Sequence, residues 1–174
     1  SIDVLVGDPL PYESPDTTHF SVMDKMGNAV SNTYTLNFSY GSGIVIPGTG
    51  FFINNEMDDF SIAPGVPNAF GLIGAEANAV APGKRPLSSM SPTIVLKDGK
   101  PILAVGAAGG PTIITQTLLA IIHTIDYGRP LKEALAQPHF HHQWAPDQIR
   151  IEKKVGEKVL AELRRRGHAL KVYN

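Results

Sequence analysis

Residues 17–37 carry the pattern that most constrains the fold: two runs of strand-forming residues separated by Lys25-Met26-Gly27. A three-residue hairpin loop with glycine in the left-handed position pairs Asp24 with Asn28. This pairing fixes the register of the hairpin, because each step back along one strand is matched by a step forward along the other. The sequence therefore predicts an antiparallel β-hairpin near the start of the chain.

The open end of this hairpin carries hydroxyl and amide side chains. Continued along both strands, the register places Thr17 opposite Thr35. Side chains alternate between the two faces of a strand, so Thr33, Thr35 and Asn37 are expected on the same face. A polar face of this kind suits a functional site, although threonines on exposed sheet faces are also common.

Thr17 follows a leader, residues 1–16, that is rich in proline and acidic residues and is typical of an extended linker. A threonine hydroxyl is a weak nucleophile, but the α-amino group of an N-terminal threonine can act as its base. That amine has a reference pKa of about 7.7 to 8.0, close to physiological pH. Cleavage before Thr17 would therefore give one residue both a nucleophile and a base. The alternative is an ordinary strand-forming threonine.

Composition limits the classes of protein that this chain can represent. It has 174 residues, 43% of them hydrophobic, which suffices for one substantial core and one domain. Its 15 basic and 16 acidic residues give a net charge of -1, so nucleic acid is not expected as a partner. The sequence has no cysteine, which excludes disulfides and thiolate chemistry. It also shows no long apolar span and no signal peptide, and the compartment stays undecided.

Two further regions organise the middle of the chain. Residues 38–92 are rich in Gly, Pro, Asn and Ser and are too long for an idle connection, which is typical of a functional loop. Within them, residues 64–74 have small-residue ends and an apolar tip at Phe70, as in a lid or a plain surface Ω-loop. Asp98-Gly99 then predicts a second hairpin over residues 93–105.

The second hairpin leads into Gly106-Ala-Ala-Gly109-Gly110-Pro111 and an almost wholly apolar helix predicted over residues 112–125. A helix that is apolar on all sides is expected to be buried. The glycine loop matches neither the dinucleotide-binding nor the Walker phosphate pattern. Its N–H groups at a helix start suit an oxyanion hole, while close strand-helix packing explains the glycines equally well.

Three polar clusters remain. The run Asn54-Asn-Glu-Met-Asp-Asp-Phe60 lacks the spacing of a calcium loop, and its acids suit a substrate ammonium group or form a solvated turn. The run Arg85-Pro-Leu-Ser-Ser-Met-Ser-Pro92 offers donors for a carboxylate through Ser88 and Ser89, or is an ordinary serine turn. The run His139-Phe-His-His142 lacks the cysteine or spaced glutamate of a zinc site, so packing or solvent-facing histidines are favoured.

The C-terminal part is predicted to be mostly helical. Helices are expected over residues 131–137 and about 156–166, the second ending at Gly167 as a left-handed cap. A strand then begins at His168. Because no strand follows it, we expect this strand to be unpaired and the chain to be incomplete at this end.

Four motifs together closely resemble the small subunit of γ-glutamyltranspeptidases, in order and at the family's spacing. They are Asp16-Thr-Thr-His-Phe-Ser-Val-Met-Asp-Lys25, Asn54-Asn-Glu-Met-Asp-Asp-Phe60, Arg85-Pro-Leu-Ser-Ser-Met-Ser-Pro92 and Gly109-Gly110. The likeness extends from about Thr17 to Tyr173. It implies the α+β N-terminal-nucleophile hydrolase fold, a four-layer αββα sandwich of which this chain covers only part.

The resemblance also implies an activity. The family cuts its own precursor before the threonine and then forms a γ-glutamyl-threonine ester. From this ester it transfers the γ-glutamyl group of glutathione and related amides to water or an amino acid, and no cofactor is expected. By motif, the implied catalytic residues are Thr17, Thr35, Gly109 and Gly110, and the implied substrate-binding residues are Asn37, Glu56, Asp59, Ser88 and Ser89.

Each implied residue has a role in the resemblance. Thr35 bonds Thr17 and assists its activation, while the two glycine amides form the oxyanion hole. The α-amino group is held by Asn37, Glu56 and Asp59, and the α-carboxylate by Ser88 and Ser89. The family further implies a large subunit as partner, which donates an arginine to the α-carboxylate, and a periplasmic or secreted location.

The chain departs from the family pattern in its boundaries and its lid. Residues 1–16 correspond to the end of the large subunit and residues 17–174 to the catalytic small-subunit domain, so the expected cleavage site lies inside the chain. The resemblance implies that the rest of the large subunit and the last small-subunit strands lie outside these 174 residues. Phe70 stands where some members carry a tyrosine whose hydroxyl could bond Asn37.

Two alternative functions follow from these features. A cephalosporin-type acylase of the same fold takes a glutaryl group, which has no ammonium for Glu56 and Asp59 to recognise. An unprocessed, non-catalytic relative acting as a binding protein would retain residues 1–16.

Overall fold

The computed structural model describes residues 17–174. The predicted leader, its boundary and the Asp16–Thr17 bond lie outside the described residues. The strands are β1 (Thr18–Met23), β2 (Ala29–Tyr34), β3 (Thr93–Lys97), β4 (Lys100–Val105), β5 (Phe140–His141), β6 (Ile149–Glu152) and β7 (Leu170–Tyr173). The α-helices are α1 (Thr112–Ile121), α2 (Leu131–Leu135) and α3 (Glu157–Arg165). None of the helices in this part of the chain has the length and apolar character needed to cross a bilayer.

The first hairpin has the predicted register. Strands β1 and β2 pair antiparallel from Thr18↔Tyr34 to Met23↔Ala29. The loop residue Gly27 is left-handed, with φ of 90°, as the three-residue loop requires. However, β2 ends before residue 37, so the strand alternation used to place Asn37 does not extend to that residue.

The second hairpin contributes residues to the hydrophobic core. Asp98 and Gly99 both have positive φ, 51° and 76°, in the two-residue turn between β3 and β4. Leu103 and Val105 of β4 pack with Ala120 of α1. Strand β4 also contacts β1 and β2, so the two hairpins and α1 lie together.

The prediction that the apolar helix is fully buried is wrong for this chain. Ile113 is 1% exposed and Ala120 is 4% exposed, but Ile114 and Leu118 are each 51% exposed. The reason is that β4, α2 and β5 pack against α1 but leave the face with Ile114 and Leu118 only partly covered by the described residues. The helix also ends early, because Ile122–Asp126 forms a π-helical turn.

The predicted unpaired C-terminal strand is likewise corrected. Strand β7 pairs in parallel with β6, which pairs antiparallel with β5. Neither β5 nor β6 was predicted from the sequence, because β5 has only two residues and β6 four. Gly167, with φ of 90°, follows α3 as the predicted cap.

Candidate active site

The open end of the first hairpin holds Thr17 and Thr35 side by side. The Thr17 hydroxyl donates to Thr35 Oγ1 over 3.2 Å. The Asn37 backbone N–H donates to the same Thr35 oxygen over 2.9 Å. Thr35 therefore fixes the Thr17 hydroxyl against the turn that follows β2, which is the geometry that a positioned nucleophile needs.

Thr33 points to a different partner. Its Oγ1 lies 2.7 Å from His19 Nδ1, and His19 Nε2 lies 3.0 Å from the Ser21 hydroxyl. The imidazole packs on Gly106, where a Cβ would lie 2.3 Å from the ring. Gly106 therefore allows the glycine loop to approach the hairpin, and burial lowers the pKa of His19.

The glycine loop is held by the first turn of α1. Gly109 and Gly110 have positive φ of 125° and 56°, which favour glycine. The Gly109 carbonyl accepts hydrogen bonds from the Thr112 hydroxyl at 2.7 Å and from its N–H at 3.2 Å. Gln116 Nε2 donates to the Ala108 carbonyl at 3.0 Å. With their carbonyls bonded to the helix, the glycines offer N–H groups at the positive end of α1.

Glu56 and Asp59 lie on one turn of 3₁₀ helix, Glu56–Asp59. Residues three apart eclipse each other in this helix type, so the two carboxyl groups are brought together. Burial raises the pKa of Glu56 to about 7, with a further contribution from the charge of Asp59. Burial also raises the pKa of Asp59, assisted by the charge of Asp58.

The Glu56 carboxyl is incompletely satisfied. Its Oε1 is buried and has no hydrogen-bond partner within residues 17–174. A buried carboxylate without a partner is costly, whereas a cation between the two carboxylates would stabilise both. The two acidic side chains also hydrogen-bond each other, and the arrangement can stabilise a positive charge placed beside them.

The third acid of the cluster has a separate position. Asp58 Oδ2 accepts a hydrogen bond from the Ala69 N–H at 3.3 Å, and the Asp58 carbonyl accepts one from Asn68 Nδ2 at 3.3 Å. Asp58 therefore ties the 3₁₀ turn to the predicted lid. The family motif had separated Asp58 from Glu56 and Asp59, but the contact of Asp58 with the lid was not predicted from the sequence.

Ser88 and Ser89, in a different loop, line the same cavity as Glu56 and Asp59. Ser88 Oγ accepts a hydrogen bond from the Met90 N–H at 3.2 Å, and the Ser89 carbonyl accepts one from the Ser91 hydroxyl at 3.0 Å. Both serines present neutral hydroxyl groups. No Lys or Arg of the described chain lines this cavity.

One narrow cavity brings nearly all the predicted site residues together. Those that line it are Thr17, Thr35, Asn37, Glu56, Asp59, Ser88, Ser89 and Gly110. Gly109 instead lines a neighbouring recess beside His139 and Glu152. Met90 and Ile113 add apolar walls that carried no recognisable signal in the sequence.

Phe70 lies at the edge of this cavity, at the tip of the predicted lid. The lid is a closed loop in which the Gly65 N–H donates to the Gly74 carbonyl at 2.9 Å. The Phe70 ring meets Phe38 edge to face, with centroids 5.5 Å apart. A Cβ on Gly110 would lie 3.2 Å from the same ring, so the lid and the glycine loop are in close contact.

The histidine run does not converge on one point. His139 pairs with Glu152 at 3.2 Å, His141 Nδ1 lies 3.0 Å from the Thr115 hydroxyl, and His142 pairs with Asp147 at 2.9 Å. Within residues 17–174, no three potential metal ligands lie together.

Comparisons with known proteins identify close relatives. The family model for gamma-glutamyltranspeptidase matches residues 8–174. The glutathione hydrolase proenzyme of Escherichia coli (strain K12) is 54% identical over 167 residues, which are 96% of this chain and 29% of that protein. A Helicobacter pylori gamma-glutamyltranspeptidase mutant matches with a TM-score of 0.87 and 54% identity, over 90% of this chain and 84% of that one. Cephalosporin acylase from Bacillus halodurans matches with a TM-score of 0.75 and 28% identity, over 90% of this chain and 27% of that one.

These similarities confirm the predicted N-terminal-nucleophile hydrolase fold, of which this chain supplies a part. The chain spans 29% of the length of the E. coli relative and 25% of the related proenzyme from Pseudomonas sp. (strain A14). With a family model that matches almost the whole sequence, the chain belongs to the γ-glutamyltranspeptidase family.

Proposed function

We propose that this chain supplies the nucleophile and the ammonium pocket of an enzyme that transfers or hydrolyses γ-glutamyl groups of glutathione and related amides. The observation that carries this proposal is one cavity lined by Thr17, Glu56 and Asp59. A nucleophile beside a buried pair of acids suits an acyl donor that bears an ammonium group. The proenzyme relatives support the same activity.

The reaction begins with cleavage of the precursor before Thr17, which frees its α-amino group. This amine takes the proton from Thr17 Oγ1 while Oγ1 attacks the γ-carbonyl carbon of the donor. The carbonyl oxygen becomes an oxyanion, which the Gly109 and Gly110 N–H groups stabilise. The C–N bond then breaks, and the leaving amine departs with the proton held by the α-amino group.

The product of this step is a γ-glutamyl ester of Thr17. Water or the amino group of an amino acid then attacks the ester carbonyl and gives a proton to the α-amino group. That proton passes to Thr17 Oγ1 as the C–O bond breaks, so the free threonine is restored. Thr35 holds Oγ1 in line throughout, and its hydrogen bond of 3.2 Å to Thr17 supports that role.

Substrate recognition uses the two walls of the cavity. Glu56, Asp59 and Asn37 receive the α-amino group, and Ser88 and Ser89 donate to the α-carboxylate. The serines are neutral, whereas a carboxylate in a closed site favours a charge-assisted partner. We therefore propose that the large subunit of the same precursor completes the carboxylate pocket.

The exposed face of α1 supports the same partner. Ile114 and Leu118 are each half exposed on a helix that the sequence makes apolar on all sides. Contiguous apolar surface of this kind is typical of an interface.

No cofactor enters the reaction, because nucleophile, base and oxyanion donors are all supplied by protein groups.

A cephalosporin-type acylase is the second candidate, favoured by the match to the B. halodurans enzyme. Its glutaryl donor lacks an ammonium group. Burial beside Asp59 raises the pKa of Glu56 to about 7. With a glutaryl donor, the free energy needed to ionise this buried carboxyl would serve no function. The acid pair therefore favours the γ-glutamyl donor.

The test compares γ-glutamyl and glutaryl anilides on the complete precursor at pH 8. Asp59→Asn should lower kcat/KM for the γ-glutamyl substrate on the order of 100-fold and change the glutaryl reaction far less, since one buried charge partner is lost. Thr17→Ala should abolish turnover, precursor cleavage and ester formation, as measured by intact mass.

Asp58→Asn is the matched control, because Asp58 is the adjacent acid but contacts the lid backbone. It should preserve the preference for γ-glutamyl over glutaryl substrate. Equal losses on both substrates in Asp59→Asn would contradict ammonium recognition. Processing and turnover that persist in Thr17→Ala would contradict the nucleophile assignment.

A further inference from the structure

Asn78 joins the two loops that form the substrate-binding walls. Its Nδ2 donates to the Asp59 carbonyl at 2.8 Å, and its Oδ1 accepts from the Leu87 N–H at 2.9 Å. Its backbone is also held, because the Asn78 N–H donates to Ala75 and its carbonyl accepts from the Ser61 N–H, both at 2.9 Å. The side chain is thus a fixed bridge between two segments far apart in sequence.

Of the two backbone atoms that Asn78 bonds, one belongs to a recognition residue and the other to the residue before two of them. Asp59 carries one of the two ammonium-binding carboxylates, and Leu87 directly precedes Ser88 and Ser89. An α-amino acid has its ammonium and carboxylate on the same carbon, so the groups that receive them must keep a fixed separation. No strand pairing joins these two segments in residues 17–174.

We propose that Asn78 is a positioning residue that sets the distance between the ammonium wall and the carboxylate wall. This inference rests on the proposed function, because it concerns the head group of a γ-glutamyl donor. Asn78 lines a larger cavity that adjoins the site and shares Asp59, Ser88 and Ser89 with it, but it does not line the cavity that contains Thr17. It therefore acts on the substrate through Asp59 and Ser88.

The position of Asn78 predicts a selective effect. Loss of the bridge leaves Thr17, Thr35 and the glycine loop in place, because their contacts do not include it. Binding of the head group should weaken while the chemical step is largely retained. A residue with only a structural role would instead lower the thermal stability without changing the choice of substrate.

The experiment uses Asn78→Ala in the complete precursor, with γ-glutamyl and glutaryl anilides as substrates. Two hydrogen bonds are lost, so KM for the γ-glutamyl substrate should rise about tenfold while kcat changes less than threefold. The glutaryl reaction and precursor cleavage should change little. The preference for γ-glutamyl over glutaryl substrate should therefore fall by about the same factor of ten.

Asn78→Asp is the second variant. It tests the positioning role of Asn78 if Asn78→Ala does not fold. It keeps the side-chain volume and the acceptor for Leu87 but removes the donor to Asp59. Its added negative charge attracts the ammonium group and repels the carboxylate of the same head group, so these two effects oppose each other and a rise in KM reflects lost positioning. We expect a rise smaller than that of Asn78→Ala.

Asn28→Ala is the matched control. The Asn28 side-chain amide donates a hydrogen bond to Asp24 at 2.7 Å. This bond lies at the closed end of the first hairpin. It should leave KM and substrate preference unchanged. An Asn78 variant with wild-type KM, or with equal losses on both substrates, overturns the inference while the proposed function stands. A wild-type precursor without γ-glutamyl turnover overturns both.

Discussion

The two halves of the site are built in different ways. The reaction half, with Thr17, Thr35 and the glycine loop, stands on a hairpin and on the first turn of α1. The recognition half, residues 54–89, has no α-helix or extended strand. It is held by asparagine side chains that bond backbone groups: Asn54 to Glu56, Asn55 to Phe38, Asn68 to Phe70, and Asn78 to both Asp59 and Leu87.

Regular secondary structure therefore positions the reaction half, whereas individual side-chain hydrogen bonds join the loops of the recognition half. Strand register and a helix start fix the backbone that carries the reacting groups, and the Thr35 side chain then orients the Thr17 hydroxyl. The recognition loops have local backbone hydrogen bonds, and asparagine amides join one loop to another. We therefore expect backbone changes to affect chemistry in the first half, and side-chain changes to affect specificity in the second.

The largest expected effect comes from the backbone of the reaction half. Gly110→Ala places a Cβ 3.2 Å from the Phe70 ring at a φ of 56°, which L side chains rarely adopt. The displaced N–H should lower kcat on the order of 100-fold, with a smaller change in KM. Steady-state kinetics of the complete precursor measure this.

Gly99→Ala is the matched control, because Gly99 also has a positive φ, 76°, but has nothing within 4 Å of a Cβ. It should cost stability without lowering kcat. Equal kinetic losses in the two variants would mean that backbone strain in general, and not the position of the Gly110 N–H, limits the reaction.

A smaller effect is expected on stability from the recognition half. The pKa of Glu56 is raised by burial from 4.5 to about 7. Below pH 4.5 the carboxyl is protonated in both states and has no effect. As pH rises from 4.5 to 7 the unfolded state ionises first, so stability falls, and the full penalty is present above pH 7.

Glu56→Gln removes this penalty, and its amide N–H can replace the protonated carboxyl as hydrogen-bond donor to Asp59. The free energy of unfolding at pH 8 should therefore rise by about 1 to 2 kcal/mol, while at pH 4 it should not change. Urea unfolding at the two pH values measures the difference. A variant of the exposed Glu76, Glu76→Gln, serves as control, and a gain for Glu56→Gln that is equal at both pH values would contradict the raised pKa.

The sequence predicted the reaction half better than the recognition half, for a physical reason. A three-residue loop determined every pair from Met23↔Ala29 to Thr18↔Tyr34, because hairpin register follows from local geometry. Asn37 was placed in the site by strand alternation, yet it reaches the cavity through a positive φ of 78° beyond the end of β2.

Contacts between distant segments could not be predicted in this way. The partial exposure of α1 and the pairing of β7 with β6 depend on which segments pack together, and periodicity within one segment does not contain that information. The bridge made by Asn78 is of the same kind. In the recognition half, the family motif indicated Glu56 and Asp59, while their placement on one 3₁₀ turn came from the structure.

The smallest expected effect concerns the contact between the two halves, at Phe70. Its ring lies against Phe38 and the glycine loop and lines the cavity with Asn37. Asn37 Nδ2 already donates to the Asn55 carbonyl at 3.2 Å, which leaves its Oδ1 as an acceptor.

Phe70→Tyr adds a hydroxyl that can donate to this oxygen, and one neutral hydrogen bond has a net value of about 1 kcal/mol. The ratio of transfer to hydrolysis, measured with an amino-acid acceptor, should therefore shift about two- to fivefold. An unchanged ratio and unchanged turnover would show that the ring acts only as an apolar cover and that the halves communicate through packing.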